Sequence, residues 1–211
     1  MFRRTIKLCK MINNIEKILP FLTFESEDDF YYLQILQRKK ENAELGSNSR
    51  VIKNYYITSQ EHLLNRYPEI IKLCEVFNAR ASIRLNKRSF EKVAFKTMAN
   101  VANSSMNREY KFIRSSYDRA CGLGHNSKSP TWILDLDFIP YGREHLDMLD
   151  FIEEDLPKGP KLVEIIESKN GIHLITKPFD TRRFRDKYSQ IDIHKDNPTN
   201  LYIPDDDKKL V

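Results

Sequence analysis

The chain has 211 residues, 40% hydrophobic and 31% charged, with 35 Lys and Arg against 30 Asp and Glu for a formal net charge of +5. That length suits one domain, or one catalytic core split into two lobes, and leaves little room for two independent domains. No run approaches the roughly eighteen apolar residues of a membrane span, and Lys7, Lys10, Glu16 and Lys17 interrupt what an export signal needs as an apolar core.

Three cysteines, Cys9, Cys74 and Cys121, lack CxxC spacing and fit a reducing compartment, so a cytoplasmic protein without a membrane partner is expected. In chain order, residues 30–36 (FYYLQIL) read as a strand or a short helix, followed by the basic Arg38, Lys39 and Lys40 and a polar turn over 45–49. Residues 51–58 (VIKNYYIT) are β-branched and aromatic and predict a strand. Ser59 is placed to cap a helix running to Phe77, with Glu61 in its first turn and Pro68 breaking or kinking it. In 80–86 (RASIRLN) Ala81, Ile83 and Leu85 alternate with polar residues, the pattern of a half-buried strand with a partly cationic face. A helix is predicted over 89–106 with Phe90, Val93, Ala94 and Met98 on one face, and a second helical stretch over 109–120 ends at Gly122 and Gly124.

The run 131–139 (TWILDLDFI) is the most apolar and predicts a central strand, stopped by Pro140, Tyr141 and Gly142. An acidic helix over 143–154, strands over 162–167 and 171–176, a basic helix over 181–188, a strand over 190–194 and a charged tail over 205–211 complete the chain. This order implies an α/β (α+β) protein with a mixed sheet of the split βαβ kind. One core is expected over 1–204, with a helix-rich N-terminal lobe (1–127) and a second lobe (128–204).

Charge is unevenly spread. Residues 78–120 hold ten basic against three acidic side chains, and 133–157 hold one basic against eight acidic. A phosphate-backbone groove beside a divalent-metal site needs that arrangement, although two solvated helical faces of opposite sign give the same counts.

Asp135 and Asp137 lie within the apolar strand and, because side chains alternate, point to one face, with Ile133, Leu134 and Leu136 packing around them. Two carboxylates there repel each other and lose hydration, at several kcal/mol per unpaired charge. Mg²⁺ or Mn²⁺ offsets that cost directly; an arginine partner or a wet face would also do so. Ser168, Lys169, Asn170, Gly171 and His173 form a polar turn entering the next strand, where a tight backbone, a hydroxyl, a cation and an imidazole suit a phosphate. A hairpin turn followed by a packed histidine reads the same way. Asp192 sits between Ile191 and Ile193 as a candidate third carboxylate, with Asp196 in reserve on the same face by period two. Cys121 and His125 have acceptable zinc spacing but no second ligand pair, so structural zinc is not expected. Trp132, Tyr31, Tyr32, Tyr55 and Tyr56 are expected in packing rather than as base-stacking platforms.

Taken in order, the DxD strand, Ser168-x-x-Gly171-x-His173 and a hydrophobic-Asp at Asp192 resemble the three catalytic motifs of the archaeo-eukaryotic primase superfamily, which includes primase-polymerases. Residues 30–40, 78–90, 117–125 and 168–204 are similar to small primase-like proteins of bacteriophage and mobile elements. The commoner second motif has Gly-Arg where this chain has Lys169-Asn170, which moves the cation by one position.

The resemblance implies a primase-like catalytic core with a mixed, RRM-like sheet flanked by helices. Asp135, Asp137 and Asp192 would hold two Mg²⁺ or Mn²⁺ ions. His173, with Ser168, Lys169, Asn170 and Gly171, would contact the nucleotide phosphates, and Arg84, Lys87 and Arg88 would meet template or nucleotide phosphates. The expected function is template-directed nucleotidyl transfer from an NTP or dNTP to a 3′-hydroxyl on single-stranded DNA. A separately encoded helicase would be a partner, and the compartment the host cytoplasm if the protein is phage-encoded. Two other classes use the same residues: a metal-dependent nuclease, and an inactive nucleic-acid-binding accessory protein retaining the basic surface.

Overall fold

The computed structural model describes residues 11–46, 48–137 and 143–205. The predicted strand end at 138–139, the 140–142 breaker, the opening segment with Cys9 and the tail beyond Asp205 lie outside them. Among the described residues no helix is long and apolar enough to cross a membrane.

The fold is α+β, built on two sheets in which every strand pair is antiparallel. The first runs β1 (Ile12–Asn13), β10 (Thr199–Ile203), β4 (Arg80–Ile83), β2 (Asp29–Gln37), β3 (Arg50–Ile57), with β5 (Arg88–Ser89) pairing the start of β2. The second runs β7 (Leu162–Glu167), β8 (Gly171–Thr176), β6 (Trp132–Asp137), β9 (Asp192–His194). The expected mixed sheet is therefore corrected. Consecutive strands such as β2 with β3 and β7 with β8 pair directly, across connections of 12 and 3 residues, and a hairpin connection makes an antiparallel pair.

The N-terminal lobe, expected to be helix-rich, carries three helices of seven or more residues among the described residues and also most of the first sheet. Residues 30–36 form the middle of β2, which is buried along nearly its whole length because β3 and β4 flank it. The chain also crosses the boundary expected at 127/128 twice, since β10 returns to the first sheet between β1 and β4. All five residues of β10 are buried, so it needs a partner on both edges, and only the N-terminal strands offer them.

The helices largely match the sequence signals. After a short helix α1 (Ile15–Ile18), Ser59 caps α2 (Gln60–Val76), its hydroxyl accepting from the His62 amide at 2.9 Å. α2 is not broken at Pro68 but runs through it: Leu63, Ile70 and Cys74 bury one face on both sides of the proline and hold the helix against the sheet. Ser89 caps α3 (Phe90–Met106) in the same way, accepting from Lys92. The 109–120 stretch divides into a 3-10 run, Tyr110–Ser115, and α4 (Ser116–Gly122).

β6 has two faces, and they decide where the site lies. Leu134 and Leu136 pack with Leu174 against Met148 and Ile152 of α5 (Arg143–Glu153) and Phe184 of α6 (Thr181–Lys187). Ile133, on the opposite face, joins Ile166 and Ile175 in the core shared with the first sheet. Ile133 thus lies on the same face as Asp135 and Asp137, while the acidic helix α5 covers the other. Trp132 packs at the edge of the α5 and α6 core; Tyr31, Tyr32 and Tyr55 are buried, and Tyr56 stacks on Tyr32, both hydroxyls donating to Asp118.

Candidate active site

Directly opposed residues of an antiparallel ladder share a face, with Cα atoms about 4.5–5.5 Å apart. Asp135 is opposed by His173 on β8 and by Asp192 on β9, Asp137 by Gly171, and Ile133 by His194. Three carboxylates and two imidazoles from three strands therefore share one sheet face. The structure brings Asp135, Asp137, Asp192 and His173 together. His194 carried no expected role, yet period two from Asp192 puts it on this face.

This face opens into a cleft of about 590 Å³ between the two sheets. Asp135, Asp137 and His173 line one wall, and Arg38, Lys40 and Arg80 of the first sheet's side line the other. Asp192 is exposed at the open edge on β9.

Asp135 is the electrostatic centre. His173 Nε2 lies 3.6 Å from Asp135 Oδ1 and His194 Nε2 lies 4.0 Å from Oδ2. Oδ1 is buried without a hydrogen-bond partner. Burial raises the Asp135 carboxyl above its ordinary range; His173 and His194 oppose the rise, and Asp137 and Asp192 add to it by repulsion. Burial lowers His173 below the usual imidazole value although Asp135 and Asp137 pull the other way. The His173 Nδ1 lies 2.8 Å from the hydroxyl of the buried Thr199 on β10, a contact from the returning strand that local sequence does not reveal.

The 168–171 turn is more self-contained than expected. The Ser168 amide donates to the Gly171 carbonyl at 3.0 Å, and the Gly171 amide donates to the Ser168 hydroxyl oxygen at 3.1 Å. That amide is thus committed within the turn. Glycine is needed at 171 for a different reason, because a Cβ there would sit 1.9 Å from the Leu136 carbonyl oxygen. Asn170 lines the cleft, and Lys169 Nζ lies 3.8 Å from Glu41 Oε1. Glu41 also takes the guanidinium of Arg80, with Nε donating at 2.9 Å, and lies 4.0 Å from Arg38. One carboxylate is thus shared by three cations, an arrangement with no sequence signal at Glu41.

Arg84, Lys87 and Arg88, expected to meet phosphates, are instead committed inside the protein. Arg88 is 1% exposed and grips Asp196 with both terminal nitrogens while Nε donates to the Cys121 carbonyl. Arg84 donates to the Asp196 backbone carbonyl, and Lys87 Nζ donates to Asp29 at 2.8 Å. Asp196, the reserve carboxylate, is therefore an arginine partner rather than a neighbour of Asp135. The β9–β10 loop that carries it crosses between the sheets, and buried cations on 84–88 are what pin it.

Among the described residues no three His, Cys, Asp or Glu side chains form a group that would hold a metal ion as arranged. The donor chemistry nonetheless fits a hard divalent cation: oxygen donors repel one another on one face, and one buried carboxylate oxygen lacks a hydrogen-bond partner. Comparison with family models, curated proteins and solved structures returned no match.

Proposed function

We propose that the protein is a metal-dependent, template-directed nucleotidyltransferase of the primase-polymerase type, within a primase-like core. The observation that carries this reading is the register of β6, which sets Asp135 opposite both Asp192 and His173, with Asp135, Asp137 and His173 facing a cationic wall across the cleft.

The reaction joins a 3′-hydroxyl oxygen to the α-phosphorus of a nucleoside triphosphate, breaks the α–β phosphoanhydride bond and releases pyrophosphate, with the hydroxyl proton passing to solvent. Asp135, Asp137 and Asp192 are the residues that would hold Mg²⁺ or Mn²⁺, which when bound lowers the pKa of the attacking hydroxyl and offsets charge on the leaving group. His173, biased toward its neutral form, presents Nε2 to the same space and would donate to a phosphate oxygen. Arg38, Lys40, Arg80 and Lys169 line the cleft where the triphosphate charge would lie, and Ser168 and Asn170 add polar contacts.

The test is incubation with single-stranded DNA, Mn²⁺ or Mg²⁺ and labelled NTPs or dNTPs. Template-dependent products that vanish in Asp135→Ala and Asp137→Ala are expected. Degradation of labelled DNA without triphosphates would instead identify a nuclease, and salt-sensitive DNA binding with no metal-dependent chemistry would identify an accessory protein.

A further inference from the structure

Helix α3 is packed with its apolar face outward. At 100° per residue, Phe95, Met98, Ala99, Ala102 and Met106 fall within an arc of about 100°. Phe95 is 62%, Met98 58% and Met106 81% exposed, and both alanines are exposed as well. The opposite arc holds Val93, Thr97, Asn100 and Ser104, a small and partly polar seam whose Asn100 amide donates to the Ser116 carbonyl at the start of α4. A soluble helix normally places these two faces the other way round, so the stripe implies a partner. No cation lies within the stripe from 95 to 106 except Lys96 at its flank, so it lacks what a phosphate backbone requires.

We propose that this stripe pairs with the same stripe of a second copy, antiparallel, about a two-fold axis between Ala99 and Ala102. The size pattern is self-complementary. Bulky Phe95 and Met106 stand at the ends and two alanines at the centre, so an antiparallel copy sets Ala99 against Ala102, lets the helices approach closely and brings Phe95 level with the other copy's Met106. The charges agree with that direction. Lys92 stands in the first turn of the helix and Glu109 just past its end, folded back so that its amide donates to the Ser104 carbonyl, so antiparallel pairing brings the Lys92 end of one copy to the Glu109 end of the other, whereas a parallel pair would bring like ends together. Lys92, whose Nζ donates to the neutral Asn126, keeps its charge for this role. The pairing leaves the inter-sheet cleft untouched.

The test is analytical ultracentrifugation of the full chain at about 1 to 100 µM, the range in which a small interface of this kind associates. The mass should double with concentration. Ala99→Glu and, independently, Met106→Ser should weaken dimerisation about tenfold or more, while far-UV circular dichroism and the thermal midpoint measured below the association range, where every variant is monomeric, stay unchanged. Lys92→Glu should weaken it and adding Glu109→Lys should restore it. A monomer at every concentration, a dimer indifferent to Ala99→Glu, or no recovery in the charge-reversed double variant each overturns the proposal. So does a monomer that loses single-stranded DNA affinity in Ala99→Glu, which would make the stripe a nucleic-acid surface.

Discussion

Asp135 and Asp192 are direct partners across the β6–β9 ladder, two carboxylates opposed on one face with Asp137 two residues further along. Opposed like charges weaken a sheet, and burial of Asp135 deepens the cost. A strand selected only for stability would not keep them.

Asp135→Asn should therefore stabilise the metal-free protein. Removing one repelled, desolvated charge is worth about 1 kcal/mol, a rise of about 2–4 °C in thermal midpoint for a chain of this size. Mn²⁺ should raise the midpoint of the parent protein and leave that of the variant unmoved. A destabilised variant that still responds to Mn²⁺ would remove Asp135 from the site.

Glu41 holds the place of an anion among Arg38, Arg80 and Lys169. Glu41→Gln removes the competing charge, so inorganic tripolyphosphate should bind about tenfold tighter by calorimetry. The variant should also lose about 1–3 kcal/mol of stability, because buried Arg80 gives up a charged partner. Unchanged tripolyphosphate affinity would mean that these cations do not serve an anion site.

Thr199 acts on His173 as a positioning residue. The Thr199 hydroxyl and His173 Nδ1 are 2.8 Å apart and the ring tautomer sets which of them donates; with the hydroxyl donating, the ring proton rests on Nε2, the nitrogen that faces Asp135, and that is the arrangement this prediction takes. In Thr199→Val the ¹⁵N imidazole shifts of His173 should move toward a mixture of tautomers, with nucleotide incorporation reduced about 10–100-fold. Thr199→Ser should restore both. Because the shifts are read without turnover, they test the contact even if the polymerising activity is absent.

Asp196 should matter for stability and not for metal. Asp196→Ala leaves the Arg88 guanidinium buried without its carboxylate, which costs about 3–5 kcal/mol by chemical denaturation. The Mn²⁺-induced shift in thermal midpoint should survive the substitution. Its loss would return Asp196 to the list of ligands.

The Asp29–Lys87 pair predicts a pH profile. Burial would raise Asp29, but Lys87 and the amides of Glu25 and Ser26 hold it below its ordinary 3.8. Its stabilisation is complete above that value and is lost as pH falls through the depressed folded value. Burial likewise opposes the charge on Lys87, and Asp29 with Glu25 hold it above its ordinary 10.5. That contribution is complete below 10.5 and is lost as pH rises through the folded value. The thermal midpoint should be flat between these limits with respect to this pair, and Lys87→Met should flatten the acid and alkaline limbs that it produces.

Local rules reached much of this arrangement. Alternation put Asp135 and Asp137 on one face, the cap at Ser59 marked the start of one helix, and Gly171 announced a constrained turn. Each depends on residues a few positions apart, where backbone geometry alone settles the outcome. Pairing is a different matter. Which basic side chains of 80–119 face solvent and which satisfy a buried carboxylate depends on partners as remote as Asp196 for Arg88 and Glu41 for Arg80. That the last strand closes the first sheet, carrying Thr199 to His173, was decided by the need of an all-buried strand for hydrogen-bonding neighbours on both edges. The types and facing of the acidic side chains were thus written in neighbouring residues. Their convergence, and the internal fate of the cations beside them, arose only when segments from opposite ends of the chain had to satisfy one another's backbone and charge.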